Sequence, residues 1–270
     1  MGMGYIFRFY SYFRGSFFMD IIINVSLSFI VLSFVLYLAG YVIKKQIFDK
    51  LAFISYFISF LWLCYFFIYY FIKTNRLPLS NQFESLIILC LGVFLISVWF
   101  YFKYEKEKII FFSASLVISV MLSLLNLIEP SMKPLMPALR SNWLFFHVLT
   151  SMIAYSFFAL AAFFSIFWFF YKNSKKDISL RIIKSGFAML TIGIITGSVW
   201  AETAWGRYWS WDPKETWSLI TWLYYAGFLH ISKRDMDDKK IAVLSFIGII
   251  IVMFTYFGVN YLMSGLHSYA

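Results

Sequence analysis

Charged residues are scarce in this 270-residue sequence, making up 13% of it against 62% for hydrophobic residues. Soluble domains carry roughly 25% charged residues, so the composition excludes an ordinary soluble protein. A transmembrane helix needs about 20 mostly apolar residues. Eight such runs occur, the sixth marginal and the seventh short, near 21–43, 51–72, 84–102, 109–128, 145–171, 184–200, 216–231 and 241–263. We therefore predict an all-α polytopic membrane protein with about eight transmembrane helices.

The sequence gives no sign of a second, soluble domain, and we expect residues 1–270 to form a single membrane domain. The first apolar run is too long for a signal peptide and lacks a small-residue cleavage site, so we expect it to be a retained span.

Cysteine is rare as well. Cys64 and Cys90 both fall inside predicted spans, and no CxxC pair occurs. The sequence therefore supports neither a zinc site nor a redox dithiol. We interpret both cysteines as small apolar packing residues.

Positive charge is distributed over the loops and is not gathered on one surface. The net charge is +10. With eight spans, 15 of the 23 Lys and Arg residues fall in the loops after spans one, three, five and seven. The positive-inside rule then predicts that both termini and the loops 73–83, 129–144 and 201–215 lie outside. Nucleic-acid binding is not expected from this pattern.

All five prolines fall in those three outer loops, whereas the predicted inner connections are short and charged. Irregular loops can hold shaped sites, so we expect the outer face to be the functional one. The alternative is that outer loops simply tolerate proline better.

Tryptophan is concentrated in residues 200–222, which hold six of the ten tryptophans. An aromatic belt at the membrane interface is the alternative to a binding site, but it explains only one or two tryptophans per helix end. Four tryptophans between Trp205 and Trp217 are mixed with charged residues. A wall of indoles suits a large planar ligand such as a porphyrin, whose propionates would pair with Arg207 or Lys214.

Two of the three histidines are predicted on the outer face, beside the tryptophan-rich segment. His147 begins the fifth span, and His267 follows the eighth. Ionisable residues in or near spans are costly and usually functional. Two imidazoles at one level can ligate one haem iron, which is the role we predict for this pair. The alternative for each is an interfacial histidine bonded to water or lipid.

The third histidine, His230, is predicted deeper in the membrane. It follows Trp217 by 13 residues, which corresponds to about 20 Å along a helix. It could be a second ligand at another depth, or a side chain that snorkels beside Lys233 and Arg234. A bis-histidine site there would need a ligand from another subunit, since no other histidine of this chain is predicted at that level.

Four segments resemble one known family. The run Tyr208-Trp-Ser-Trp-Asp-Pro-Lys-Glu-Thr-Trp217 resembles the WWD signature of the CcsA (ResC) proteins, which are subunits of the system II cytochrome c synthase. Residues 78–85 resemble the family's PLxNxxES outer motif, residues 141–147 its first outer histidine helix, and residues 258–270 its C-terminal ending. The resemblance covers roughly residues 78–270.

The resemblance implies cytochrome c biogenesis, with haem b bound and transferred. His147 and His267 would be the paired outer ligands of the haem iron. His230 would be the transmembrane ligand, with its counterpart supplied by a CcsB (ResB)-type partner. A haem-contacting segment would grip the porphyrin and hold its vinyl groups open; it comprises Trp205, Arg207, Trp209, Trp211, Asp212, Lys214 and Trp217.

The substrate implied by the resemblance is an apocytochrome c with a reduced CxxCH motif, whose thiols add to the haem vinyl groups. A thiol-reducing system would keep those cysteines reduced. The chain has no CxxCH of its own, which suits a haem donor. The membrane would be the bacterial cytoplasmic membrane or the thylakoid membrane, with the site on the periplasmic or lumenal face.

Three other interpretations compete with this one. A smaller system I haem-handling protein also has a WWD segment, but it has fewer spans. An electron carrier of the cytochrome b kind needs two stacked histidine pairs, which three histidines cannot supply. A membrane transporter or binding protein for haem or another aromatic ligand would use the tryptophans without any attachment activity.

Overall fold

The computed structural model describes residues 3–104, 107–128, 139–170, 176–232 and 236–265, and these residues contain helices but no strand. The all-α prediction is therefore confirmed. The helices are α1 (Met3–Ile43), α2 (Gln46–Thr74), α3 (Gln82–Lys103), α4 (Lys108–Leu125), α5 (Asn142–Phe170), α6 (Lys176–Trp205), α7 (Pro213–Ile231), α8 (Asp238–Met253), a π-helix (Phe254–Gly258) and α9 (Val259–Leu262).

Seven of the described helices are long and apolar enough to cross a membrane. They correspond to predicted spans one to six and eight, and the chain is a multi-pass integral membrane protein. The seventh predicted span, 216–231, is helical as α7 but is not among the seven. Its first turn carries Lys214 and Glu215, and this polar start shortens its apolar stretch.

Helix α6 differs most from its prediction among the interior spans. The apolar run covers 184–200, whereas the helix extends from Lys176 to Trp205. Its polar first turns and its final turn Ala201–Trp205 are helical without being apolar. The tryptophan-rich loop is correspondingly shorter than predicted, because Trp205 ends α6 and Trp217 already lies in α7.

Helices α5 and α6 form the most extensive helix pair, followed by α1 and α2. Glycines of α6 let α5 approach closely: a Cβ at Gly186 would lie 2.9 Å from Phe157 Cβ, and one at Gly193 would lie 2.7 Å from Ser151 Oγ. Small residues at such contacts are typical of membrane helix packing.

One end of the bundle, here called the site end, contains the loops 75–81 and 206–212. Its central polar feature is Glu84 in the first turn of α3, whose side chain is fully buried. Arg76 donates to both carboxylate oxygens, at 2.6 and 2.9 Å. Further donors are the Tyr70 hydroxyl, the Ser80 backbone and hydroxyl, and the Asn81 amide. This network fixes the loop before α3 against the end of α2.

We predict that Arg76→Met destabilises the protein strongly, because it leaves the buried Glu84 carboxylate without its counter-charge. Breaking a buried pair costs about 3–5 kcal/mol, whereas replacing both partners with apolar residues costs far less. The double variant Arg76→Met/Glu84→Met should therefore regain much of the loss. Thermal unfolding in detergent, followed by tryptophan fluorescence, measures the difference.

The matched control is Lys108→Met, which breaks the ion pair between Lys108 and Asp49. The lysine of this pair is largely exposed. Exposed pairs contribute about 0–1 kcal/mol, so its melting temperature should stay close to that of the wild type. Equal melting temperatures for Arg76→Met and Lys108→Met would contradict the structural role of the Glu84 network.

Candidate functional site

A cavity of about 470 Å³ lies at the site end. Ligand pockets typically measure roughly 300–1,000 Å³ and combine apolar walls with a few polar groups. This cavity has that character, since its wall combines apolar residues of α3, α5, α6 and the π-helix with polar side chains. The side chains that line it include those of Arg76, Gln82, His147, Trp200, Tyr208, Trp209, Lys214, Glu215, Tyr256, Asn260 and Tyr261.

His147, in the second turn of α5, lines the cavity with its imidazole held from one side. Its Nδ1 lies 2.8 Å from the carbonyl oxygen of Gly193 on α6. A carbonyl can only accept, so Nδ1 carries the proton in this contact. Such a bond sets the tautomer in which Nε2 is the ligating nitrogen, an arrangement common for metal-bound histidines.

The ring of His147 is also confined by Gly197 and Trp200. A Cβ at Gly197 would lie 2.5 Å from His147 Nδ1, so only glycine leaves room for the imidazole at this point. Trp200 stacks on the imidazole with an interplanar angle of 12° and a centroid distance of 6.0 Å. Trp205 in turn packs against Trp200, with 4.7 Å between the centroids of the two rings.

The loop 206–212 is shaped by the start of α7. Asp212 is the N-cap of α7 and forms a capping box with Glu215, preceded by Trp211 and followed by Pro213 at the first helical position. The buried Glu215 carboxylate also accepts from the Ser210 backbone at 2.7 Å. The Asp, Pro and Glu of the signature therefore have a clear local role, since this combination starts a helix and satisfies its first amides.

Trp211 has a left-handed backbone conformation, with φ of 58°. This conformation is unusual for a bulky residue and costs free energy of about 1–3 kcal/mol. Its side chain is 69% exposed, and Tyr208 is 61% exposed. The capping box therefore holds a strained turn that directs large aromatic side chains away from the protein interior.

Asp212 also contacts the chain just before the C-terminus. A Cβ at Gly265 would lie 2.3 Å from Asp212 Oδ2 and 3.0 Å from Pro213 Cδ. The backbone at Gly265 therefore packs directly on the start of α7. His267, the second predicted iron ligand, lies outside the described residues.

The structure brings together only part of the predicted site. His147, Trp209 and Lys214 line the cavity. Trp205 supports Trp200 from behind, and Trp217 packs on Phe254 at 4.2 Å. The remaining three predicted contacts, Arg207, Trp211 and Asp212, do not line the cavity wall, and the first two are exposed.

Lys214 lies in the first turn of α7, ahead of the apolar part of that helix, and is mostly buried in the cavity wall. Burial lowers the pKa of its ammonium group to about 8, and the nearby Asp212 carboxylate partly offsets that effect. A cation in such a place favours an anionic ligand group, because the anion would restore the stability of its charged form.

His230 lies apart from the cavity. It is exposed on α7, on the same helix face as the exposed side chains of Ile220 and Leu223. Spacings of three, seven and ten residues place these positions on one stripe. His230 lies in the last turn of α7, one residue before the helix ends at Ile231.

Three features of the cavity wall were not predicted from the sequence. Gln82 lies within the 78–85 motif and Asn260 within the C-terminal one, but neither was assigned a role; both line the cavity. Gly193 and Gly197 shape the His147 site. Their four-residue spacing on a predicted span was a readable signal of close helix packing.

Fold and site together define a multi-pass membrane protein with a histidine-bearing ligand cavity at one end of its helical bundle. Comparison with known proteins narrows this class. A family model described as Cytochrome C assembly protein matches residues 79–267.

Curated relatives agree with that match. The chain is 38% identical to the Cytochrome c biogenesis protein CcsA of Guillardia theta, covering 73% of this chain and 78% of the relative. It is 34% identical to the CcsA protein of Cyanophora paradoxa, covering 73% and 80%. Its fold is similar to that of a solved chain, the Cytochrome c Heme Lyase CcmF, with a TM-score of 0.69 at 16% identity over 93% of this chain and 47% of that one.

The chain belongs to the CcsA family of cytochrome c assembly proteins. The family recognised from the WWD segment is confirmed, and the chain is a cytochrome c biogenesis protein. Cytochromes c carry haem, so membership in this family involves the chain in a process that handles haem.

We predict that Gly197→Ala displaces His147 and destabilises the protein, because the new Cβ would overlap the imidazole. Overpacking of this kind costs about 1–3 kcal/mol. Gly227→Ala is the matched control, since a Cβ there meets nothing within 4 Å. That variant should gain up to about 1 kcal/mol from helix propensity. Melting temperatures in detergent compare the two, and a Gly197→Ala protein as stable as Gly227→Ala would refute the steric argument.

Proposed function

We propose that this chain binds haem b in the cavity and presents it for covalent attachment to the CxxCH motif of apocytochromes c. The observation that carries the proposal is His147, which lines a cavity of about 470 Å³ with Nδ1 held by the Gly193 carbonyl. That contact leaves Nε2 as the nitrogen suited to axial ligation. Trp200, stacked beside the imidazole, limits rotation of the ring.

His267 is proposed as the second axial ligand. Support comes from Gly265, whose backbone packs on Asp212 at the start of the tryptophan-rich helix α7. Bis-histidine ligation would keep the iron in a state usable for transfer.

The tryptophan-rich segment is proposed to contact the porphyrin at the cavity wall and also at the rim of the cavity. Trp209 and the largely exposed Tyr208 line the cavity, while Trp211 is exposed and does not line it. Trp205 and Trp217 would act through the residues they support. A porphyrin that protrudes past the exposed aromatic side chains would keep its vinyl edge accessible to another protein.

One haem propionate is proposed to pair with Lys214, whose desolvated ammonium is stabilised by an anion. Arg207 is exposed and can reach only a group at the rim of the cavity. Asp212 is proposed to act on haem indirectly, by capping α7 and by holding the segment before His267.

The attachment reaction adds each substrate thiol across one haem vinyl group. The sulfur bonds to one vinyl carbon, the thiol hydrogen ends on the other, and no electron is gained or lost overall. The haem carries this reactivity, while the protein supplies position and environment. A thiol-reducing system is needed because a disulfide in CxxCH has no thiol hydrogen to add.

A CcsB (ResB)-type subunit is proposed to cover the exposed face of α7 at His230. An exposed histidine in this helix is satisfied by a partner that supplies a second ligand to haem at the same depth. If α7 also crosses the membrane, giving eight spans, the charge distribution of the loops supports a site on the periplasmic or lumenal side, with both termini on that side. The membrane is then the bacterial cytoplasmic membrane or the thylakoid membrane.

We expect the double variant His147→Ala/His267→Ala, co-expressed with a CcsB-type partner and an apocytochrome c, to lose covalently haem-stained cytochrome. Both axial ligands would be missing, and added imidazole should restore part of the yield by occupying the vacated positions. Haem staining of the cytochrome after denaturing electrophoresis measures the product.

Wild-type yield from the double variant would refute the ligand assignment. A wild-type protein that remains colourless after haem-replete expression would refute haem binding altogether. A protein that binds haem yet supports no attachment with its partner would favour a transporter or haem-binding protein instead.

The Lys214 ammonium predicts a pH dependence of haem binding. Its pKa of about 8 means that the side chain is charged below that pH, and a bound carboxylate favours the charged form. Affinity should therefore be highest below pH 8 and fall by up to about tenfold per unit above it.

Spectroscopic titration of the purified protein with haem between pH 6.5 and 9.5 checks this expectation. Lys214→Arg should bind with little pH dependence, since arginine stays charged throughout. Lys214→Met should bind more weakly at pH 7 and also show a flat profile. The same slope in wild type and Lys214→Met would show that another group is responsible.

A further inference from the structure

Two buried amide atoms in the cavity wall stand out. Within the part of the chain that the structure describes, Gln82 Nε2 and Asn260 Oδ1 are buried and have no hydrogen-bond partner. Burying such a group without a partner costs free energy of about 1–3 kcal/mol. Native proteins rarely accept that cost, so an unsatisfied pair on a cavity wall indicates a missing ligand or water.

Both amides are fixed in place through the π-helix. The Tyr256 hydroxyl lies 3.0 Å from the Gln82 carbonyl oxygen and 2.7 Å from Ser85 Oγ. Tyr261 donates to Gln82 Oε1 at 3.1 Å, and Asn260 Nδ2 donates to the Tyr256 carbonyl at 3.1 Å. Three of these four bonds use the other end of an amide or the Gln82 backbone, and they orient Gln82 Nε2 and Asn260 Oδ1.

The π-helix explains why two tyrosines can reach one glutamine. Tyr256 and Tyr261 are five residues apart, which in an α-helix would turn them away from each other. Tyr256 lies in the π-helix and Tyr261 lies in α9, and the wider π-turn that begins the connection between them reduces the angle between their side chains. Such turns occur frequently at functional sites. The distortion at Phe254–Gly258 therefore helps both hydroxyl groups to contact Gln82.

The two unpartnered atoms define what kind of group fits. Gln82 Nε2 is a donor and Asn260 Oδ1 is an acceptor, so a single group that contacts both accepts one hydrogen bond and donates another. The charged residues nearby are Arg76, bound to Glu84, and Lys214, close to Asp212, with Glu215 as a further carboxylate. Among the lining residues that the structure describes, they leave no surplus positive charge for a second anion, and burial favours the neutral form of a carboxyl group.

We propose that Gln82 and Asn260 form a subsite for a protonated carboxyl group of the ligand, whose C=O accepts from Gln82 and whose O–H donates to Asn260. The inference rests on the proposed haem function and deepens it. Haem carries two propionates on adjacent pyrroles, so one pairs with Lys214 as an anion while the other occupies the two amides as a neutral acid. Lys214 and Asn260 also border the same small hollow next to the cavity.

The test compares haem with haem dimethyl ester, which can accept from Gln82 but cannot donate to Asn260 and is bulkier at this position. Dissociation constants for both ligands are measured by spectroscopic titration of the purified full chain in detergent. The relevant quantity is the ratio of the ester constant to the haem constant. A general loss of structure weakens both ligands and leaves this ratio unchanged, whereas loss of the subsite lowers it.

We expect Asn260→Leu and Asn260→Ala each to lower the ratio by about fivefold relative to wild type, the effect of one neutral hydrogen bond that only the free acid can donate. Gln82→Met removes a donor that both ligands use, so it should weaken both by about fivefold and leave the ratio unchanged. Gln46→Met is the matched control, because Gln46 is the other glutamine of the chain and lies exposed at the start of α2. Its ratio should equal that of the wild type.

A wild-type ratio near one, or ratios in both Asn260 variants equal to the wild-type ratio, would overturn the subsite. The second result would mean that water alone satisfies the two amides. Two Asn260 variants are used so that poor folding of one leaves the other as the test. Absence of haem binding by the wild type would instead overturn the proposed function, and the subsite with it.

Discussion

The site end of this protein depends on a buried carboxylate, Glu84, and on the need to satisfy it away from water. An isolated buried charge is prohibitively costly, so Glu84 has to be surrounded by donors or cannot exist as an anion. The donors come from residues 70–81, and gathering them converts the loop before α3 into a fixed wall. Glu215 acts in the same way on residues 210–212. Two desolvated carboxylates thus give shape to two loops, and the cavity lies between those loops.

Helix packing adds the second requirement, because a rigid rim has value only if the ligand-binding side chains are equally fixed. His147 is held by backbone on α6, and that contact exists because Gly193 and Gly197 carry no side chain. The π-helix performs the corresponding task for Gln82. Both arrangements depend on backbone that is irregular or that carries no side chain. Such backbone is tolerated in membrane helices where neighbouring groups satisfy its hydrogen bonds. Both irregularities lie at the cavity, and each positions a side chain of the cavity wall.

Hydropathy was sufficient to predict the helices but insufficient to predict the cavity wall. Apolar runs located the seven described helices that are long and apolar enough to cross a membrane, although one further predicted span, α7, is not among them. They also missed the helical residues 176–183 and 201–205 of α6 because those turns are polar. The tryptophan-rich segment pointed to the correct end of the bundle, yet of its six tryptophans only Trp200 and Trp209 line the cavity. Composition cannot separate an indole that faces a ligand from one that supports a neighbour. Likewise, the unsatisfied atoms of Gln82 and Asn260 become visible only after tertiary contacts have used the rest of each amide.

The charge balance of the cavity suits a protein that gives its ligand away. Among the described residues, Arg76 and Lys214 are the cations in the cavity wall, and they face the carboxylates of Glu84, Asp212 and Glu215. One negative charge is therefore in excess around a ligand that itself carries two acidic groups. A storage site would gain affinity from added cations, but tight binding slows the release on which transfer depends. Under the proposed function, affinity would rest on iron ligation, neutral hydrogen bonds and one ion pair to Lys214, and would leave haem accessible for attachment. Bond formation with the acceptor would then remove haem from the site.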